Sequence, residues 1–239
     1  MVMSGDDDMM TSLSSRIEAY KGERVRLLVA QPIVPGQRLQ VIAPPRVVEV
    51  LQRTELPLAM IGRYRHLNTH GVEVLVQSMA PRADGTFEVV LAGGRLCKVT
   101  ELGMPLAVGS PWLGRNARVR FISPDDERDD AFVSSRVGAR SAALEAAMDE
   151  WCDKVRRSGR QRFDGQLDRI LADLGEMPAA QRPNERCLWV AGVINGLPPL
   201  GLANEVRAAV LMADGAERRL DAVEMAIADS IARLEVDWI

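Results

Sequence analysis

The stretch of sequence that decides the fold begins at Val72-Glu-Val-Leu-Val-Gln-Ser-Met79, where three valines occupy every second position. Such alternation predicts a β-strand with one buried face. The step Asp84-Gly85 tolerates positive φ and predicts a hairpin turn, which joins this strand to a second one at Phe87–Ala92. Gly93-Gly94 predicts another turn, into a third strand at Leu96–Thr100. This part of the chain is therefore expected to consist of short strands joined by tight turns.

Similar apolar runs, bounded by Gly and Pro, lie on both sides of this stretch. Pro44-Pro45 opens a helix at Arg46–Arg53, because Pro suits the first helical position. Six or seven short strands with one helix are typical of a small closed barrel. The further strands are predicted at Arg24–Ala30, Arg38–Ile42, Leu58–Tyr64 and Ala117–Ile122.

The hydrophobic period changes near residue 125. Ser123–Asp130 contains five acidic residues against one Arg, which predicts an exposed acidic linker. After it, apolar residues recur at helical spacing, as in the series Leu144, Met148, Trp151 and Val155. Such apolar residues form a stripe along each predicted helix, and these stripes predict the core of a five-helix bundle. The other helices are expected around Phe163–Leu174, Cys187–Ile194, Asn204–Met212 and Asp214–Leu234.

The fold class is therefore expected to be α+β, with a strand-rich half followed by a helical half. We expect an N-terminal tail at residues 1–21, a barrel subdomain at 22–122, the acidic linker at 123–130 and a helical subdomain at 131–239. Because the linker favours solvent over packing, the two subdomains are expected to be separable units.

Composition limits the classes of protein that remain. The chain has 239 residues, of which 47% are apolar and 26% charged, as in soluble globular proteins. Its longest apolar run, Cys187–Ile194, is far shorter than a membrane span. The start, Met1–Asp8, is acidic and lacks the basic region of a signal peptide. We expect a soluble protein in a reducing compartment: the cytoplasm, or an organelle matrix or stroma if a targeting segment was removed.

Charge argues against a nucleic-acid partner. The net charge is −3, and the sequence shows no basic stripe with interleaved aromatic residues. Ten aromatic residues in the whole chain leave few side chains for base stacking.

A search for catalytic patterns finds none. The chain lacks a P-loop, a Gly-x-Gly-x-x-Gly dinucleotide fingerprint and a Gly-x-Ser-x-Gly nucleophile elbow. Its two histidines, His66 and His70, have a zinc-compatible spacing but lie in a predicted loop. Cys97, Cys152 and Cys187 are odd in number and far apart, which favours reduced, buried thiols. No enzymatic activity, metal or cofactor is predicted.

Two rigid apolar segments are candidates for contact with a partner. Trp112 and Leu113 follow Pro111 in a Gly- and Pro-rich loop, and Leu197-Pro198-Pro199-Leu200 forms a stiff break between helices. Trp189 lies close to that break in sequence. Aromatic residues in such places serve either as partner contacts or in internal packing, and both interpretations stay open.

The order of short motifs along the chain is informative. The motifs are Leu27–Ala30, Pro35-Gly36, Leu39–Ile42, Pro45–Leu51, Ile61-Gly62, Gly71–Val76, Asp84-Gly85, Val89–Leu96 with Val99, Pro111-Trp112, Leu188–Asn195, Glu205–Met212, Asp214 and Glu217–Leu220. In this order and spacing they resemble the amino-terminal substrate-recognition domain of the Lon protease family. The resemblance extends over about Gly22–Leu234. It differs at Leu27, Leu28 and Val47, where the family usually has aromatic residues and an Arg-Tyr pair.

The resemblance implies a PUA-like pseudo-β-barrel followed by a helical bundle. It also implies a stand-alone member of the family, without ATPase or protease domains. Such a module would be non-catalytic and would bind a protein or unfolded polypeptide through apolar patches. The alternative is a structural accessory subunit of a larger protein assembly, which would bury a large interface with one partner. The sequence does not determine the oligomeric state.

Overall fold

The computed structural model describes residues 22–63, 67–105, 115–123 and 135–235. In these residues the first half of the chain forms strands with one helix, and the second half forms helices. The α+β class predicted from the change of period is confirmed. The strands are β1 (Glu23–Val29), β2 (Arg38–Ala43), β3 (Leu58–Arg63), β4 (Leu67–Pro81), β5 (Phe87–Pro105) and β6 (Arg115–Ile122). The helices are α1 (Pro45–Arg53), α2 (Ser135–Ser158), α3 (Gln166–Leu174), α4 (Pro183–Ile194), α5 (Arg207–Met212) and α6 (Gly215–Glu235).

Five of these strands close into a barrel. Neighbouring strands follow the order β5, β4, β3, β1 and β6, and β6 pairs again with β5. The pair β1–β3 is parallel, whereas the other pairs are antiparallel. β2 lies outside the ring and pairs with the first part of β5. The predicted pseudo-barrel is therefore confirmed.

The turn predicted at Gly93-Gly94 is wrong, because β5 runs through both glycines as one strand of 19 residues. A Cβ atom on Gly93 would lie 2.3 Å from the carbonyl oxygen of Val34, so glycine permits a close approach of two backbones. The register of β5 against β4 also shifts nearby, between Val72 and Val74. The sequence alone does not distinguish a glycine that forms a turn from one that permits two backbones to approach closely.

The five helices predicted after the linker are present as α2–α6. Leu144, Met148 and Trp151 are buried along α2, and the Trp151 indole Nε1 donates a hydrogen bond of 2.8 Å to the Ser230 hydroxyl on α6. The prediction that this helix includes Phe163 is wrong, because Phe163 precedes α3 and is exposed. The helix begins only after Gly165, whose φ of +75° belongs to the left-handed region.

Two apolar clusters stabilise the fold. The smaller lies inside the barrel, where Val25, Ala59 and Cys97 are fully buried. The larger joins the outer wall of the barrel to the helices and includes Met60 of β3 and Trp151 of α2. Because the second cluster contains residues from both halves, each half supplies part of the other's core.

The predicted domain boundaries stay predictions. Residues 1–21 and the acidic residues of the 123–130 linker lie outside the described residues, so the proposed limits of the subdomains are not tested. The shared apolar cluster is the relevant structural observation, because separable subdomains ordinarily have their own cores.

Candidate functional site

A groove of about 810 Å³ is lined by apolar side chains from both the barrel and the helices. We call it the apolar groove. Leu75 contributes a side chain that is 52% exposed. The apolar groove is defined by Pro35, Leu75, Phe121, Leu174, Leu188 and Trp189.

The strand and helix periods explain why these side chains meet. In β4 successive side chains point to opposite faces, so Val74 is buried while Leu75 points into the groove. On α4 most residues are buried, but Trp189 is only half-buried and lines the groove. The Trp189 indole Nε1 donates a hydrogen bond of 2.9 Å to the carbonyl oxygen of Gly175, just after α3. This bond holds the ring in one orientation.

A fixed ion pair forms part of the groove wall. The Arg95 guanidinium donates from Nε and Nη2 to the two carboxylate oxygens of Glu73, at 2.8 and 2.9 Å. These hydrogen bonds hold the pKa of Glu73 below its usual range, so the carboxylate stays ionised. The guanidinium carbon also lies 3.8 Å from the centre of the Phe121 ring, a cation–π contact. The pair therefore restrains an aromatic side chain of the groove.

Two further carboxylates line the same groove. Glu176 is exposed, and Glu185 is ion-paired with Arg182. The groove thus combines apolar contact area with negative charge near it. Such a surface offers apolar contact together with attraction for a positive charge.

The titratable groups elsewhere offer little reactivity. Cys97, Cys152 and Cys187 are buried and form no disulfide with one another, which agrees with the reduced, buried thiols that the sequence predicts. Burial raises the pKa of Cys97 to about 12 and that of Cys152 to about 11, which disfavours the reactive thiolate. His70 Nδ1 lies 3.1 Å from the Thr69 hydroxyl oxygen. Within the described ranges, no group of three or more His, Cys, Asp or Glu side chains is placed to hold a metal ion.

The structure places the predicted contact residues in different environments. Trp112 and Leu113 lie outside the described residues, so their role stays a prediction. Pro198 and Pro199 are exposed and Leu197 is half-buried, but none of the three lines the apolar groove. The Pro198 carbonyl accepts a hydrogen bond of 2.8 Å from the Gln166 side chain.

Leu200 is 5% exposed and belongs to the shared apolar cluster. A buried side chain offers no surface to a partner. Contact with a partner therefore stays a prediction for Leu197, Pro198 and Pro199 of this segment. A leucine in a Pro-rich break can be buried or can face solvent. The sequence therefore did not distinguish the buried Leu200 from the half-buried Leu197.

Sequence reasoning considered Trp189 but missed the residues that surround it. Leu75 stood out only as one of the residues alternating with the valines of β4. Its exposure could have been inferred from that alternation, since it lies on the face opposite the valines. The pairing of Glu73 with Arg95 and Phe121 depends on the register of three strands, which the sequence does not provide.

This arrangement of a closed barrel with an added strand and a following helical bundle has counterparts among solved structures. The N-terminal domain of Mycobacterium avium complex Lon protease matches with a TM-score of 0.57 and 16% sequence identity, covering 87% of this chain and 99% of that one. A Lon N-terminal domain protein from Xanthomonas campestris matches with a TM-score of 0.50 and 16% identity, covering 84% and 97% of the two chains.

These similarities define the fold. The protein has the fold of Lon N-terminal domains, as the order of its sequence motifs predicts. No family model and no curated protein matches the chain. Among the helices of the described residues, none combines the length and hydropathy needed to cross a membrane.

Proposed function

We propose that the protein is a non-catalytic module that binds polypeptide segments in the apolar groove. The observation that carries this proposal is the exposure of Leu75 in a groove that also contains Trp189 and Phe121. Soluble proteins rarely leave such side chains together on the surface unless a partner covers them. The Lon-type fold supports the same class of function, because the sequence resemblance is to a substrate-recognition domain.

The groove has a chemistry suited to this role. A volume of about 810 Å³ accommodates several side chains of an extended segment. The half-buried Trp189, held by its hydrogen bond to Gly175, provides a rigid contact that loses little entropy on binding. Glu176 adds a negative charge that attracts a basic residue of the partner.

Replacement of Leu75 by Asp tests the proposal. We expect the affinity for a short fluorescein-labelled peptide of alternating Leu and Ser, with Lys at both ends, to fall about tenfold in fluorescence anisotropy, since the groove would lose apolar area and gain charge. The thermal midpoint should change little, because Leu75 is already half exposed. Met225→Asp is the matched control, since Met225 is 69% exposed on α6 and does not line the groove.

Equal losses in the Leu75 and Met225 variants, or no binding by the native protein, would contradict the proposal. Copurification of one tightly bound protein over a large interface, unaffected by Leu75→Asp, would instead support a structural subunit.

A further inference from the structure

Cationic side chains from three strands come together on the barrel wall. Arg24 of β1 lies directly opposite Arg118 of β6, and Arg120 of β6 lies directly opposite Lys98 of β5. Residues opposite each other in a sheet share a face, as do residues two apart on one strand. Arg26 therefore projects from the same face. We call this surface, formed by Arg24, Arg26, Lys98, Arg118 and Arg120, the cationic strip.

The strip faces outward from the barrel. Val25 and Val119, which alternate with the arginines along β1 and β6, have no exposed surface and belong to the cluster inside the barrel. The arginines thus lie on the opposite, outer face, where Arg24 and Arg120 are exposed. The sequence showed no basic stripe because these residues are separated along the chain, and the strand register assembles one.

Three of the five cations of the strip have no carboxylate partner among the described residues, whereas Arg118 faces Glu101 across the sheet. Arg118 Nε lies 3.7 Å from a carboxylate oxygen of Glu101. Arg24, Lys98 and Arg120 form no ion pair with any carboxylate in the part of the chain that the structure describes. Like charges directly opposite each other destabilise a sheet. An accumulation of this kind in a chain of net charge −3 therefore indicates an anionic partner.

A cleft at one end of the strip adds shape to the charge. It has a volume of about 410 Å³ and is lined by Arg24 and Arg118, with Leu56, Glu101, Gly103 and Asn116 also in its wall. Gly103 lets β5 and β6 approach closely at this wall, because a Cβ atom there would lie 2.5 Å from the carbonyl oxygen of Asn116. Arg118 Nη1 already donates a hydrogen bond of 3.2 Å to the carbonyl oxygen of Gly22. Arg24 is therefore the guanidinium of this cleft that we expect to donate paired hydrogen bonds to a carboxylate.

We propose that the cationic strip binds an acidic segment of a partner polypeptide. Side chains two apart on a strand repeat every ~6.6 Å, and acidic side chains at every second position of an extended peptide repeat at the same distance. The five residues of the strip include no Phe, Tyr or Trp on which a nucleic-acid base could stack, although His70 of β4 lies directly opposite Lys98. The chemistry of the strip therefore favours carboxylates over a single-stranded nucleic acid. The proposal does not depend on binding at the apolar groove.

The test compares two double variants that remove the same amount of charge. Arg24→Gln with Arg120→Gln removes two exposed cations of the strip, and Arg53→Gln with Arg218→Gln removes two from α1 and α6. The control side chains are 78% and 72% exposed. We expect a short fluorescein-labelled peptide of alternating Glu and Ser to bind the strip variant about tenfold more weakly in fluorescence anisotropy. The control should match the native protein, and added salt should weaken native binding.

Three results would overturn the assignment. Equal losses in the two double variants would show that net charge alone drives binding. Tighter binding of a single-stranded oligonucleotide, lost in the strip variant, would show that the surface serves nucleic acid. A large gain in peptide affinity on changing Asp6, Asp7 and Asp8, or the acids of Asp125–Asp130, to amides would show that the chain's own acidic blocks occupy the strip. Unchanged thermal midpoints establish that both double variants are folded.

Discussion

At the scale of single residues, one buried amide connects the barrel side of the molecule to the helices. Gln37 is 3% exposed, and its Nε2 donates hydrogen bonds to the carbonyl oxygens of Gly192, at 2.8 Å, and Asn195, at 3.0 Å. Its Oε1 accepts a hydrogen bond of 3.1 Å from the backbone N–H of Val34. Two backbone carbonyls at the end of α4 therefore accept hydrogen bonds from a side chain of the segment that leads into β2.

Gln37→Leu should lower the free energy of unfolding by about 3 kcal/mol, because it leaves buried backbone groups without partners. Urea unfolding followed by circular dichroism measures the change. Gln40→Leu is the control, since Gln40 is exposed on β2 and should change stability by less than about 0.5 kcal/mol. If the two substitutions cost the same, the hydrogen bonds of Gln37 do not stabilise the junction.

At the scale of the elements, β5 is held close to the segment before β2 by a glycine. The backbone N–H of Gly93 donates a hydrogen bond of 2.9 Å to the carbonyl of Gln37, and the N–H of Gly36 donates one of 2.9 Å to the carbonyl of Gly93. A side chain at Gly93 would collide with the backbone of Val34, whereas one at Gly94 would lie 3.1 Å from a side-chain oxygen of Glu73, a contact that a shift of a few tenths of an ångström relieves.

Gly93→Ala should therefore destabilise the protein by about 2–4 kcal/mol, whereas Gly94→Ala should cost less than about 1 kcal/mol. The Glu73 side chain can shift to admit a methyl group at Gly94, whereas the Val34 backbone cannot shift to admit one at Gly93. Thermal unfolding of the two variants, measured side by side, checks the difference. A turn at Gly93-Gly94 would instead predict strong effects at both glycines, because both would then need unusual backbone angles.

The elements also show how far the sequence predicts this structure. Local periodicity located the strand containing Val72 and the helix containing Trp151, because burial imposes the pattern directly. It did not predict the continuity of β5 or the meeting of Arg24 with Arg118, since register and close backbone approach depend on residues distant in the chain. The candidate sites were accordingly the least predictable part, as both grooves and charged strips form only when strands pair.

At the scale of the whole molecule, the barrel and the bundle are joined by one apolar cluster. Val34, before β2, is fully buried, and its methyl group would be only 3.0 Å from a Cβ atom placed on Gly192 of α4. This contact lies within the same cluster that includes Trp151 of α2. Removing either half would expose apolar surface on the other, so we expect the two halves to unfold together.

We predict a single cooperative unfolding transition in which strands and helices are lost together. Val34→Ala should lower stability by about 2 kcal/mol through lost contacts and a small cavity, and it should shift the hydrogen-exchange signals of the barrel strand β3 and of the helix α4 equally. Leu102→Ala is the control, because Leu102 is 43% exposed on β5 and should leave both signals unchanged. An α4 signal that stays in place while the β3 signal shifts would mean that the bundle folds by itself. After a first proteolytic cut in the predicted 123–130 linker, the shared core should likewise keep the two fragments associated until they unfold.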